Sequence, residues 1–291
     1  MVTNTTAQYT PDVTISVLNP SVVSLNGVLT NIVDVVGTAS WGPVNQSTTL
    51  GSYSDFAASF GPMVARKYDG GTIVATAGLN GGSAFTFTRV TDGTDLVANT
   101  ILNSATIAAK YTGSLGNNIN VLFSVGGKAN SVSATVTLTG VASEIYPNIP
   151  TTNFWPAFAA AINSGTGVSR GPSNLVTVSV SNAAGAAPTA PVTVSLTGGA
   201  DGVATINASV LVGTDGVNRT GMYATAHSGG QTLVLADCDD STVWTTVDAF
   251  AASNYKLAVL VGPAGDTTAN AIARKELVGL DSPYTVLLHG D

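Results

Sequence analysis

The chain has 291 residues, of which 44% are hydrophobic and only 9% charged, with a formal net charge of −7. An ordinary domain carries about 25% charged residues, so Ser, Thr, Ala, Val and Gly fill the difference and favour strands and tight turns over long solvated helices. The acidic balance and the lack of any basic run exclude binding to nucleic acid through phosphate neutralisation.

Residues 1–11 are polar and aperiodic. Val13, Ile15 and Val17 then alternate with Thr14 and Ser16, the pattern of a half-exposed strand, and Asn19-Pro20 ends it. Residues 1–20 read as an extended N-terminal arm; its strand has no hairpin partner nearby and suits either an edge of its own domain's sheet or addition to a neighbour's sheet. Residues 21–95 form the first part of an α/β core domain. An apolar run ends at Val35, Val36 and Gly37, followed by a turn at Trp41-Gly42-Pro43. Ser54 is placed to cap a helix from Asp55 that Gly61-Pro62 ends. Ile73, Val74, Ala77 and Leu79 lie along one side of a second helix, weakened by Gly70-Gly71, and Phe85 and Phe87 share one face of a strand.

Residues 96–200 are mostly strands with Gly, Asn and Ser turns and read as a β-sandwich-like domain. Strands are expected over Thr106–Tyr111, Ile119–Val125, Ser131–Leu138, Leu175–Val180 and Val192–Leu196, with a helix over Phe154–Ile162. Its glycines are turn residues; no phosphate-loop pattern is present. Residues 201–291 alternate strand and helix, with strands at Thr232–Ala236, Tyr255–Val261 and Tyr284–Leu288. Asp240 to Thr242 and Thr267 cap the two intervening helices. Short apolar strands joined by helices predict a parallel sheet covered on both faces. The fold class is thus multidomain α+β: a β-sandwich-like domain, an α/β parallel-sheet domain and the arm.

Four motifs carry a family resemblance. They are G-x-A-x-x-G-P-x-N (Gly37, Ala39, Gly42, Pro43, Asn45) followed by Ser54, Asp55, Phe56, Phe60 and Gly61; Asn80-Gly81-Gly82 with Arg89-Val90; A-K-Y-x-G-x-x-G-N-x-I-x-V (Ala109, Lys110, Tyr111, Gly113, Gly116, Asn117, Ile119, Val121); and Leu196, Gly198, Gly199, Asp201 and Gly202 in L-T-G-G-x-D-G. In order and spacing the chain resembles the sheath proteins of contractile phage tails. The resemblance implies an α/β sheet related in fold to subtilisin but non-catalytic. It also implies subunits that stack as hexameric rings into a helical sheath around a tail tube, bounded by baseplate and tail terminator. That sheath contracts to drive the tube through the host envelope, and it needs no cofactor. The location implied is the virion, after assembly in the host cytoplasm. Members of the family continue beyond the third strand of the last segment and add a C-terminal domain. The resemblance therefore covers the N-terminal portion of such a protein, and the C-terminal domain is expected to be absent here. The sheath of a bacterial contractile injection system would read the same way. A β-rich adhesin or carbohydrate-binding protein would suit residues 96–200 if Tyr111, Tyr146, Phe154 and Trp155 formed an exposed platform.

The best catalytic candidate is Asp237-Cys238-Asp239-Asp240, where a strand gives way to a helix, with His227 upstream and His289 downstream. These types suit a Cys/His hydrolase or an acidic Mg²⁺ or Ca²⁺ site. Asp residues ahead of a helix also face its positive end, and no second motif supports catalysis, so no catalytic, cofactor or metal residue is assigned. The single Cys238 excludes an intrachain disulfide framework. The N-terminus has neither the basic start nor the apolar stretch of a signal peptide, and no window matches the ~20 apolar residues of a membrane span.

Overall fold

A computed structural model describes residues 32–166 and 170–289; the arm strand Val13 to Val17 lies outside the described residues. In chain order the first elements are β1 (Ile32–Gly37), β2 (Ser47–Leu50), α1 (Tyr53–Phe60), α2 (Gly70–Leu79) and β3 (Ala84–Arg89). Next come β4 (Val97–Leu102), β5 (Ala105–Thr112), β6 (Asn120–Val125), β7 (Ser131–Thr137), β8 (Glu144–Pro150), α3 (Phe154–Ser164), β9 (Val176–Val180) and β10 (Val192–Ser195). The chain then runs through α4 (Ala208–Val212), β11 (Thr232–Leu235), α5 (Trp244–Ser253), β12 (Leu257–Val261), α6 (Thr268–Val278) and β13 (Thr285–Leu288).

The early and late strands build one six-stranded sheet in the order β13-β12-β11-β1-β3-β2. It is parallel except for β2, which pairs antiparallel with β3. Central β1 is buried on both sides, which is why IVDVVG reads as a nearly continuous apolar run. Register puts Val36, Leu235, Leu233, Ala258 and Leu260 on one face, where Leu211, Trp244, Val247 and Phe250 from α4 and α5 cover them. Val35, Phe85 and Phe87 lie on the opposite face against Phe56, Phe60 and Val74 of α1 and α2.

The expected two-sided cover is only partly present. Over β12 and β13 the second face is open, with Leu257 and Val286 each 39% and Leu288 50% exposed. The reason is topological: α1 and α2 pack over β1, β3 and β2, while α5 packs on the other face.

Between β3 and β11 the chain forms a four-stranded antiparallel sheet, β10-β6-β7-β8, and a three-stranded one, β4-β5-β9. Both pack with α3 around one core that includes Ile107, Val121, Phe123, Val136, Phe158 and Val178. This is the sandwich-like arrangement expected. The clean alternation in β7 buries Val132, Ala134 and Val136.

Several local expectations change. Ser52, not Ser54, caps α1: its Oγ accepts from the Asp55 amide at 3.2 Å, while Ser54 bonds to Ser52. Gly70 and Gly71 open α2 rather than weaken its middle, and the Asp69 carboxylate caps them by accepting from Thr72 N–H at 2.8 Å. Leu79 is 89% exposed instead of lying on the apolar side. Asp240 caps a single 3₁₀ turn, Ser241–Val243, and α5 begins one residue later; Thr267 caps α6 as read.

Candidate functional site

In an open α/β sheet, ligands bind outside the carboxyl ends of the strands where the winding reverses. Here that point lies between β1 and β11, since the chain proceeds from β1 to β3 on one side and from β11 to β13 on the other. The crevice is filled by the chain itself. Thr38 donates its N–H to Tyr68 O at 2.7 Å and its hydroxyl to the same oxygen at 2.9 Å, and Gly70 N–H returns a bond to Thr38 O at 3.0 Å. Tyr68 N–H also reaches the Asp237 carboxylate at 3.3 Å. Beside this plug an open cavity of about 450 Å³ remains, lined by Arg66, Lys67, Asp237, Asp239 and residues 261–264.

The acidic run borders that cavity, but each member is committed. Asp239 pairs with Lys67 at 2.9 Å. Asp240 is a cap, and the Thr242 amide and hydroxyl hold its carboxyl below the ordinary range. Cys238 is buried, and desolvation pushes its thiol up to about 11, the opposite of an activated nucleophile. His227 precedes β11, at the end of that strand away from Cys238, and its Nε2 lies 2.8 Å from Arg219 Nη1. His289 follows β13. Among the described residues, no three His, Cys, Asp or Glu side chains form a group that could hold a metal ion.

A second constellation escapes sequence reading. Lys256 Nζ donates to Asp34 Oδ2 at 2.6 Å, to Gly230 O at 2.7 Å and to Ser228 Oγ at 3.2 Å. Ser228 Oγ in turn lies 2.7 Å from Asp34 Oδ1. A serine beside a lysine suits nucleophilic catalysis only if the amine is free to take the hydroxyl proton. Here all three ammonium protons are committed and both charged partners are buried. The network also sits at the amino end of the sheet, away from the cavity. Burial pushes the Asp34 carboxyl above the usual carboxylate range, and the Lys256 and Ser228 hydrogen bonds offset part of that shift. The signal that could have found the pair is Asp34 itself, the lone charge in an otherwise apolar strand.

Most of the motif residues converge on the junction between the parallel sheet and the inserted strands. Arg89, the last residue of β3, is fully buried and donates to Gly42 O, Thr112 O and Asp201 O. Ser114 N–H and Arg66 Nη1 both reach the Asp201 carboxylate at 2.6 Å. Burial pushes that carboxyl up, but these two partners outweigh it and hold it below the usual range. Asn117 grips Gly199 from both sides, accepting from its N–H at 2.7 Å and donating to its O at 3.0 Å. Gly113 has φ +132°, and a Cβ there would stand 2.1 Å from Ser40 O, so only glycine fits. Gly202 O accepts from Asp92 N–H.

The other motif residues pack nearby. Gly37 ends β1 at the crevice, and Pro43 follows Gly42 in the loop after β1. Phe56 and Gly61 belong to α1 and its cap, and Gly116 lies in a 3₁₀ turn, Ser114–Asn118. Lys110 on β5 donates to Ser173 O, the Tyr111 ring meets Trp41 edge-on at 5.6 Å, and Gly198 precedes the gripped Gly199. Tyr146, Phe154 and Trp155 are fully buried, so these three form no exposed aromatic platform.

No protein-family model matches this sequence, and no curated protein matches it. Solved structures do. The sheath tail protein of Desulfitobacterium hafniense is 18% identical over 95% of this chain and 56% of its own, with a TM-score of 0.55. The sheath tail protein of Listeria innocua is 18% identical over 80% of this chain and 48% of its own, with a TM-score of 0.57. The chain thus has the fold of sheath tail proteins and spans about half the length of the two it matches.

Proposed function

We propose that this chain is part of a structural subunit of a contractile tail sheath. Copies polymerise around a tail tube between baseplate and terminator, and the sheath shortens to drive the tube through a host envelope. The fold likeness across nearly the whole chain is the observation that carries this reading. The filled switch-point crevice supports a scaffold over an enzyme, because the usual ligand position is occupied by Tyr68 to Gly70. The low charge content suits a surface that copies of the same subunit cover.

In this reading residues 96–200 are a separable domain inserted in the α/β core, and the arm strand Val13 to Val17 adds to a neighbouring subunit's sheet. Main-chain pairing would link rings while tolerating the change of packing that contraction demands. The test is electron microscopy of the full-length gene product expressed alone, where striated tubes are expected. Deleting residues 1–18 should abolish the tubes and leave the circular dichroism spectrum unchanged. A full-length product that stays monomeric at every concentration refutes the sheath reading; intact tubes after the deletion refute the arm.

A further inference from the structure

The two connections between the parallel sheet and the inserted strands are not free tethers. Leu96 and Ala200 exchange N–H···O bonds at 3.0 and 3.1 Å, and Asp92 N–H reaches Gly202 O at 2.8 Å. The outgoing and returning strands are therefore zipped together. The apolar cores on either side are separate clusters: the sandwich core, which takes Trp41 from the loop after β1, and the two cores on the faces of the parallel sheet. What joins the parts at the zipper is polar, and Arg89 is at its centre.

Its guanidinium reaches three stretches remote in sequence. Nη1 donates to Gly42 O at 2.8 Å and to Thr112 O at 2.7 Å, and Nη2 donates to Asp201 O at 3.2 Å. One stretch follows β1, one ends β5 and one is the returning connection. No carboxylate oxygen bonds to it directly. Desolvation accordingly lowers the group to about 10, with the Asp201 and Asp95 charges opposing, and it remains a cation at neutral pH. A lysine ammonium is a single point with no planar fork and cannot span the same three acceptors.

We propose that Arg89 is an orientation lock: its buried fork fixes the inserted β part at one angle to the parallel sheet, so the two do not hinge at their connections. The lock is a property of this chain and stands independently of the sheath reading. The test is amide hydrogen exchange read by mass spectrometry and NMR. In the native protein the amides of Asp92, Leu96, Gly113 and Ala200 should exchange as slowly as the core amides of β3 and β7. In Arg89→Lys those four should exchange at least ten-fold faster while β3 and β7 stay protected. Arg89→Lys that matches the native pattern overturns the lock. Should Arg89→Lys lose protection everywhere, the native measurement decides. Protection at the four amides equal to the sheet cores supports the lock, and exchange ten-fold faster than the cores overturns it.

Discussion

The Asp34–Lys256 pair gives the most quantitative test of how this fold is held. It joins β1 to the residue ahead of β12, 222 positions away, inside the sheet. Lys256→Met keeps most of the side-chain volume and removes the cation, leaving Asp34 fully buried. Removing one member of a buried pair costs about 3–5 kcal/mol. A second route gives a similar figure. If Asp34 takes up a proton instead, holding it neutral at pH 7 costs about 1.4 kcal/mol for each unit above its ordinary value. That value is 3.8, so roughly three units give about 4 kcal/mol. This is a large share of the 5–15 kcal/mol by which a typical domain is stable.

The two routes differ in pH dependence. Burial raises the Asp34 carboxyl above its ordinary value, and removing Lys256 takes away the hydrogen bond and charge that oppose the rise. The variant therefore loses stability as pH rises from 3.8 toward the folded value. The deficit of Lys256→Met should shrink as the pH falls from 7 to 5. The double variant Asp34→Val/Lys256→Met should recover to within about 1–2 kcal/mol of the native protein, since an apolar pair replaces an ionic one without orphaning a charge. Valine suits the site because Gly230 lies hard against the Asp34 carboxylate. Guanidinium unfolding followed by tryptophan fluorescence reads the effect, as Trp244 lies in the core on that face. A Lys256→Met loss below about 1 kcal/mol, or a double variant worse than the single, refutes the reasoning.

Three further outcomes are expected. Gly70→Ala should lower the melting temperature, because its Cβ would fall 2.0 Å from Phe87, a ring wedged edge-on against Phe56 and Phe60 at 4.8 and 4.7 Å; overpacking of this kind costs about 1–3 kcal/mol, and an unchanged melt contradicts it. Cys238 should resist iodoacetamide in the folded protein at pH 7.5 and react fully in denaturant, given its burial and raised thiol pKa; prompt labelling of the native chain contradicts that. Asp201→Asn should destabilise the protein at pH 7, and its deficit should fade as pH drops below the ordinary 3.8, because the native carboxyl titrates below that value and its stabilisation is lost as pH falls through it. A deficit that stays constant in denaturation curves at pH 5 and pH 3 rules out the carboxylate as its source.

Local pattern carried much of the fold into view. The apolar run at Val35–Val36, the strand expected over Tyr255–Val261 and found over Leu257–Val261, the alternation of β7 and the Thr267 cap correspond to elements because each depends only on near neighbours in sequence. β8 stayed hidden because Pro147 and Pro150 argue against a strand, yet it lies at a sheet edge where a missing N–H is tolerated, and Asn148 turns the chain with φ +56°. The Asp34–Lys256 pair and the Arg89 junction were out of reach for a different reason. Their partners are separated by 222, 47, 23 and 112 positions; Asp34 stands out as the lone charge in its strand, but no local stretch names the partner it meets. The motif residues were visible as a pattern, but that Gly42 and Asp201 meet at one guanidinium required the topology.

The carboxyl edge of the parallel sheet bears on the proposed sheath role. In a doubly wound sheet the strand ends leave main-chain groups pointing at a crevice, and an enzyme satisfies them with a ligand. In this chain they are met from within: Tyr68 and Gly70 bond to Thr38, just past the end of β1, and Asp237 receives the Tyr68 amide. The neighbouring end of β3 is Arg89, which holds the loop after β1, the end of β5 and the returning connection. At β1 and β3 that edge is the joint on which the inserted β part is mounted, while past β11 and β12 it stays open as the cavity beside Asp237 and Asp239. A joint built from hydrogen bonds with fixed directions gives one orientation, where a greasy contact would allow sliding. In the proposed sheath role that definition would matter, because a small angular error in each subunit would accumulate along a helical array.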